Sequence, residues 1–283
     1  MSAPTFDLQS HSICSDGALT PADVVALAHA AGVELLALTD HDTVSGVDEA
    51  LAAARELGMR LVPAVELSAV DLEREDVHIL GYGLDHRVPA LVDALEDFRA
   101  DRVARAIRMA DALRGLGLQL EVPDRGGDPI GRPHLARAAF EHPANAARIA
   151  AEGLETPSQL LEAYLVPGAP AYQRRTRPAV PEAIELIQAA GGVAVWAHPF
   201  WDLDHDAEVL ETVDRFAALG IDGAEAFYVT HTREQTLLVA DRCAELGLLT
   251  TGSSDFHAPD HPLFHAFRAF DLHGREPALG PVA

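Results

Sequence analysis

Lysine is missing from this chain: Lys and Arg together number 21, and every one of them is Arg. That absence excludes a Walker-type phosphate lysine, a Schiff-base lysine and a carbamylated-lysine metal bridge in one step. Cysteine is scarce, with Cys14 and Cys243 far apart and no C-x-x-C pair, so two buried reduced thiols are expected and Cys14 is a weak candidate for a nucleophile. Basic charge is also in deficit, because 44 acidic residues against 21 basic ones leave a formal net charge of −23. A broad electrostatic footprint for duplex nucleic acid is excluded on that ground. No apolar run is long enough to span a bilayer, and the N-terminus has no basic region followed by an apolar one. The chain reads as soluble and cytoplasmic.

What is present is a repeating joint, a helix that ends at Gly and runs almost at once into an apolar strand. It recurs as AHAAGVELLALTDH, ARELGMRLVPAVELS, IQAAGGVAVWAHP, FAALGIDGAEAFY and CAELGLLTTGSSDFH, with Gly32, Gly58, Gly191, Gly220 and Gly247 at the joint. Helix and parallel strand therefore alternate, an α/β pattern. Thr20 with Pro21, Thr43, and the Pro178 to Pro181 stretch place capping residues or proline ahead of helices. Adding TFDLQSH and EDVHILGYG gives seven strands, near 5–11, 34–40, 60–67, 76–83, 192–197, 221–228 and 248–253. Seven strands approach a barrel, and 283 residues suit one barrel with an insertion, with an open doubly wound sheet as the alternative. From 88 to 177 the strand pattern gives way to helical spacing, interrupted by the turn-rich EVPDRGGDPIGRPH. That division makes 1–87 with 178–283 the barrel and 88–177 a helical insertion over its C-terminal mouth. The arginines of 99–108 are expected on a solvated face.

The strand ends carry Gln9 and His11, Asp40 and His41, Glu66, His78, His198, Glu225, then Asp255 and His257. So many imidazoles and carboxylates beside apolar strands are costly to keep together without cations. The set suits Zn²⁺, Mn²⁺ or Fe²⁺, and two or three such ions could activate water to a bound hydroxide for phosphate-ester hydrolysis. The polar stretch QSHSICSDG then forms the first wall of a metal site, with Asp16 on the loop.

In this order DLQSHSICSDG, LTDHDT, AVELS, HILGYG, IGRPH, VAVWAHP and TTGSSDFH resemble the PHP (polymerase and histidinol phosphatase) superfamily. The resemblance spans about residues 5 to 258. It implies a distorted (β/α)7 barrel and a trinuclear metal centre. The insertion with GRPH is similar to the branch holding nucleoside 3′,5′-bisphosphate phosphatases and a 5′-to-3′ exonuclease on short RNA. By resemblance, His11, Glu66 and Asp255 hold one metal, with Gln9 where the family has a first His. Glu66 bridges to a second metal at His78 and His198, and Asp16, His41 and His257 hold a third. Asp40 would orient a ligand imidazole. Gln9 breaks the family's H-x-H, and an amide oxygen is a poorer ligand for Zn²⁺ than imidazole.

Arg132 and His134 in GRPH, with Arg175 and Arg177, are the candidate phosphate contacts. His231, after the sixth strand, is a further contact candidate. It joins Asp255 and His257 as the candidates for moving a proton to the leaving oxygen. The leading expectation is hydrolysis of a small phosphorylated nucleotide or a short single-stranded RNA end. Alternatives are a histidinol-phosphate phosphatase, a barrel that has lost activity through Gln9, and an amidohydrolase acting on C–N bonds.

Overall fold

Residues 4–123, 130–201 and 203–283 are described by the structure, a computed structural model. In chain order the elements are β1 (Phe6–Asp7), α1 (Pro21–Ala30), β2 (Leu35–Leu38), α2 (Val47–Leu57), β3 (Arg60–Asp71) and β4 (Arg74–Tyr82). Then come α3 (Pro89–Gly115), α4 (Arg132–Glu141), α5 (Ala146–Ala151), α6 (Pro157–Tyr164) and α7 (Val180–Ala189). The chain finishes with β5 (Val193–Trp196), α8 (Asp206–Ala218), β6 (Gly223–Tyr228), α9 (Arg233–Leu246) and β7 (Leu249–Ser253). All seven expected strands are present. The turn-rich break after residue 120 falls largely on 124–129, outside the described residues.

The strands form one sheet in sequential order from β1 to β7. Beyond β1 the chain also pairs with the far edge: Leu8 N–H donates to Gly252 O at 3.2 Å, and Ser10 bridges Phe256 in parallel. The sheet thus curls almost shut as a barrel, and the open-sheet alternative is set aside. Burial follows from that closure. All four residues of β2 and all six of β6 are buried, as expected when helices cover the outer face and side chains fill the inner one. Val24, Val25 and Ala28 of α1 and Ala50 and Ala54 of α2 pack on Leu36 and Leu38 of β2.

One strand departs from the expected parallel alternation: β4 is antiparallel to both β3 and β5. The cause is local. Just two residues, Leu72 and Glu73, separate β3 from β4, and so short a connection can only make a hairpin. The turn carries no Asn-Gly or Asp-Gly signature; Leu72 itself takes φ 54°.

Each joint glycine, Gly32, Gly58, Gly191, Gly220 and Gly247, has φ between 69° and 89°. Gly58 and Gly247 close α2 and α9 as left-handed caps, with their N–H groups on Arg55 O and Ala244 O. Thr20 caps α1 by accepting from Asp23 N. Thr43 does not cap α2: it accepts from Ser45 N in a separate turn, and the helix begins after Gly46.

The chain divides into two compact units, Met1–Leu95 with Pro178–Ala283, and Glu96–Arg177. The first turns of α3 belong to the barrel unit. The helical unit has its own core, with Met109, Leu113, Leu135, Ile149, Leu160 and Tyr164 buried together. Arg105, expected on a solvated face, is buried there instead: its Nε donates to Gln173 O at 2.6 Å, and its guanidinium lies over the Tyr172 ring. No helix among the described residues is long and apolar enough to cross a membrane.

The two cysteines are unpaired; Cys14 is half-buried in the loop after β1, while Cys243 is buried on α9. Burial pushes the Cys243 thiol up to about 12. A thiol reagent at pH 8 should therefore modify Cys14 in the native protein and reach Cys243 only in denaturant. Two thiols titrating rapidly in the native state would contradict the packing of α9 on the sheet.

Candidate metal centre

The cluster is assembled by the way each strand runs out. After β1, His11 N–H donates to Phe256 O at 2.8 Å, so the chain stays extended, and Gln9 and His11 face the same way. Both are fully buried. After β2, Thr39 N–H donates to Ser10 O, and His41 bridges Glu66 of β3. On β4, His78 pairs with Ser68, while Leu80 pairs with Glu66. His78 therefore stands diagonally across from Glu66 on one face. His78 is in the middle of β4, not at its C-terminal end, because the antiparallel strand meets the site on its way in. His198 follows β5 with φ 30°, and Asp255 follows β7 with φ 52°. Left-handed backbone at non-glycine residues costs about 1–3 kcal/mol each, and here it lies where ligand-type side chains are aimed.

Glu66 is the hub. Its Oε1 lies 2.7 Å from His78 Nδ1 and 3.3 Å from His198 Nε2, while Oε2 lies 3.1 Å from His11 Nε2 and 3.6 Å from His41 Nδ1. His11 Nε2 is also 3.0 Å from Asp255 Oδ1. Asp16 reaches His11, His41 and His257, each at 3.6 Å. Three sets of ligand atoms fall within 4.8 Å of one another: His11, Asp16, His41 and His257; His41, Glu66 and His78; His11, Glu66 and Asp255. His198 adjoins the second set, with Nε2 at 3.2 Å from His78 Nδ1.

The donor set fits divalent cations on a direct observation. His11 Nδ1 and Nε2, His41 Nδ1 and Asp255 Oδ1 are buried and make no hydrogen bond, although oppositely charged partners stand close. They crowd within 4.8 Å of other ligand-type atoms without a hydrogen bond of their own, an arrangement an ion would complete. Electrostatics agrees. Burial alone would raise the Glu66 carboxyl, yet the nearby His41 and His78, with His11 and His198 beside it, hold it well below the usual range. Burial opposes charge on His11, but Asp255 and Glu66 raise it well above an ordinary imidazole. His41 is pushed down to about 4, chiefly by burial.

Neighbours fix the orientation of these side chains. His257 Nδ1 donates to the Asp255 carbonyl at 2.7 Å, which turns Nε2 toward Asp16. Tyr228 donates to Asp255 Oδ2 at 2.7 Å, leaving Oδ1 inward. Glu225, whose carboxyl burial pushes well above the usual range, accepts from His198 N at 3.0 Å and from Ser253 Oγ at 2.6 Å. Gln9 enters through its amide nitrogen, which donates to Glu66 Oε2 at 2.9 Å; the amide oxygen faces Ser253 Oγ at 3.3 Å.

Two of the expected residues have other partners in the structure. Asp40, expected to steady a ligand imidazole, instead accepts from Ser12 N, Ser12 Oγ and Ser15 Oγ, each at 2.7 Å. It orders the loop that carries Asp16. His231, expected to help deliver a proton, spends its Nδ1–H on Ala226 O at 3.1 Å, and burial pushes it down to about 4. At neutral pH its buried Nε2 is an acceptor, not a donor. Arg132, His134, Arg175 and Arg177 belong to the helical unit. There the Arg132 and Arg177 guanidiniums lie over Tyr172 and Phe98, Arg175 is buried, and His134 Nδ1 accepts from Gly131 N at the start of α4. Tyr228 and Ser253 were not singled out from the sequence. Nor was Asp7, a buried carboxyl that burial pushes up to about 7 and that accepts from Ser254 N and Arg268 N.

Comparison with known proteins gives a consistent set of relatives. Residues 7–151 match the family described as PHP domain. The chain is 34% identical over 257 residues to a 5′-3′ exoribonuclease of Haemophilus influenzae, covering 90% of each. It is 36% identical over 260 residues to a 3′,5′-nucleoside bisphosphate phosphatase of Chromobacterium violaceum, covering 90% of this chain and 87% of the relative. Among solved structures, one described as an amidohydrolase from Chromobacterium violaceum with bound sulfate superposes with a TM-score of 0.73 at 33% identity. It covers 93% of this chain and 90% of that one. A candidate metal-dependent phosphoesterase from Bifidobacterium adolescentis gives 0.71 at 30% identity, covering 97% and 100%.

The loop that presents Asp16 depends on Gly17. A Cβ there would lie 2.3 Å from His11 O and 2.7 Å from Ser12 N, both rigid backbone. Gly17→Ala should cost about 1–3 kcal/mol and displace Asp16 from His11, His41 and His257. The expected readout is reduced metal content after reconstitution with a cooperative thermal transition retained. Unchanged metal content would remove Asp16 from the cluster.

Proposed function

Because the chain belongs to the PHP domain family, we propose that it is a metal-dependent hydrolase of phosphate esters acting on small nucleotides, namely nucleoside 3′,5′-bisphosphates or short oligonucleotide ends. The observation that carries the reading is the imidazole and carboxylate cluster, in which the buried His11 Nδ1 and Nε2, His41 Nδ1 and Asp255 Oδ1 have no hydrogen-bond partner. The residues proposed to hold two or three divalent ions are His11, Asp16, His41, Glu66, His78, His198, Asp255 and His257, with Mn²⁺, Zn²⁺ or Fe²⁺ suited to these donors. Such ions supply Lewis acidity toward phosphate oxygens and lower the pKa of water.

The remaining steps belong to the chain itself. Tyr228 holds Asp255 with one carboxylate oxygen inward, and the Asp255 carbonyl sets the tautomer of His257. Glu225 pins the backbone of His198. His231 offers a buried acceptor nitrogen. In this reading Gln9 supports Glu66 through its amide N–H instead of adding an oxygen ligand. The proposal that Arg132, His134, Arg175 and Arg177 contact phosphate rests on the GRPH resemblance and on guanidinium chemistry.

Glu66→Ala and His198→Ala should lower metal content and activity together, by elemental analysis and by turnover on a panel of nucleoside bisphosphates, histidinol phosphate and an RNA oligomer. A folded, reconstituted wild-type protein that binds no metal would sink the whole reading. Gln9→Leu, which removes the donor to Glu66, should weaken metal affinity about 10- to 100-fold in chelator competition. Gln9→His should strengthen it. Affinities that do not change in either variant would show that Gln9 neither ligates nor supports a ligand. Arg132→Ala should raise KM for the best nucleotide about tenfold or more with metals retained. An unchanged kcat/KM returns Arg132 to a structural role on Tyr172.

A further inference from the structure

Trp201 is half exposed, at 50%, and stands against the metal cluster, whereas Trp196 is 4% exposed and packs on Phe216. The position of Trp201 is built. Two residues beyond β5, His198 takes left-handed backbone with φ 30°, and Trp201 N–H closes the turn on His198 O at 2.8 Å. The indole is thereby brought to 6.2 Å from the His198 ring, at 68° between planes. On its other flank it meets Phe264 at 5.6 Å and 50°. Phe264 is itself buried and lies 5.4 Å from His257 and 4.9 Å from His261. The indole therefore sits on a line of rings running from one cluster histidine, His198, toward another, His257.

With both of these ring contacts made, Trp201 still leaves half of its surface in water. Leaving so large an apolar face in water is unfavourable, and its neighbours hold it in place instead of covering it. The ligand that suits the position carries a phosphate for the cluster and a flat π surface for the indole. The chain's net charge of −23 disfavours an anionic membrane surface as the occupant.

We propose that Trp201, backed by Phe264, is a stacking platform for the nucleobase of a nucleotide whose phosphate is held at the neighbouring histidine cluster. This rests on the phosphoesterase reading above and adds the residue that recognises the nucleoside. Because every base has a π face, the platform selects nucleotides over other phosphate esters without choosing among bases. It also fits a single-stranded end better than a duplex, whose bases are already stacked.

The test uses the metal-loaded protein with Trp201→Ala and Trp201→Phe, a nucleoside 3′,5′-bisphosphate, ribose 5-phosphate as a phosphate ester without a base, and adenosine monophosphate as a binding probe. Trp201→Ala should raise KM for the bisphosphate about tenfold and leave KM for ribose 5-phosphate unchanged. Trp201→Phe, which keeps an aromatic face, should restore most of that loss. Adenosine monophosphate should quench the wild-type tryptophan emission, and the quench should vanish in Trp201→Phe, where buried Trp196 is the remaining emitter. Equal effects of Trp201→Ala on both substrates, or saturable nucleotide binding with no quench, would overturn the platform. If no phosphate ester is turned over, the phosphoesterase reading fails, while the quench still reports stacking on its own.

Discussion

One fully buried carboxylate organises this protein. Glu66 is approached by His11, His41, His78 and His198 and receives the Gln9 amide, so four strands or strand extensions, those of β1, β2, β4 and β5, converge on it. Removing a carboxylate from water costs several kcal/mol unless charge and hydrogen bonds surround it. The sheet meets that requirement by bringing its polar residues inward at one end and its apolar residues elsewhere. The orphaned atoms of His11, His41 and Asp255 show that the protein's own groups leave the arrangement incomplete.

The antiparallel β4 is part of the same solution. A parallel strand between β3 and β5 would approach the site at its C-terminal end. The hairpin instead sends β4 back through the barrel, so His78 is delivered from the interior of a strand, braced by β3 on one side and β5 on the other. A side chain there is less mobile than one on a loop, which suits a residue 2.7 Å from the central carboxylate.

The strands and the ligand-type residues were legible because both leave periodic marks. Helix-ending glycines fix where strands begin, and a His, Asp or Glu directly after an apolar run stands out. What was not legible depends on pairs distant in sequence. Nothing near Asp40 reveals that its carboxylate serves Ser12 and Ser15 instead of an imidazole, because the choice is made by how the loop after β1 lies against β2. The neutral, acceptor state of His231 follows from one carbonyl, Ala226 O, and from burial that appears only on folding. The β3–β4 turn escaped notice because Leu72 occupies a left-handed position usually marked by Gly or Asn. Arg105 looked like a surface residue because its partners, Tyr172 and the Gln173 carbonyl, come from almost seventy residues downstream.

The seam of the barrel joins chain segments that are remote in synthesis. Ser10 bridges Phe256, and His11 N–H donates to Phe256 O, so the two sides of the seam meet only after nearly the whole sequence exists. Non-local closures of this kind are slow and entropically costly. His11 and Asp255 sit directly on that seam, 3.0 Å apart, and Glu66 lies 3.1 Å from the same His11 nitrogen. A cation held by these three side chains would bind the closed chain and not the open one, so its binding free energy would also be closure free energy. On a ribosome this cluster is then among the last features to form, and a cation that it held would favour the closed state of the newly made chain.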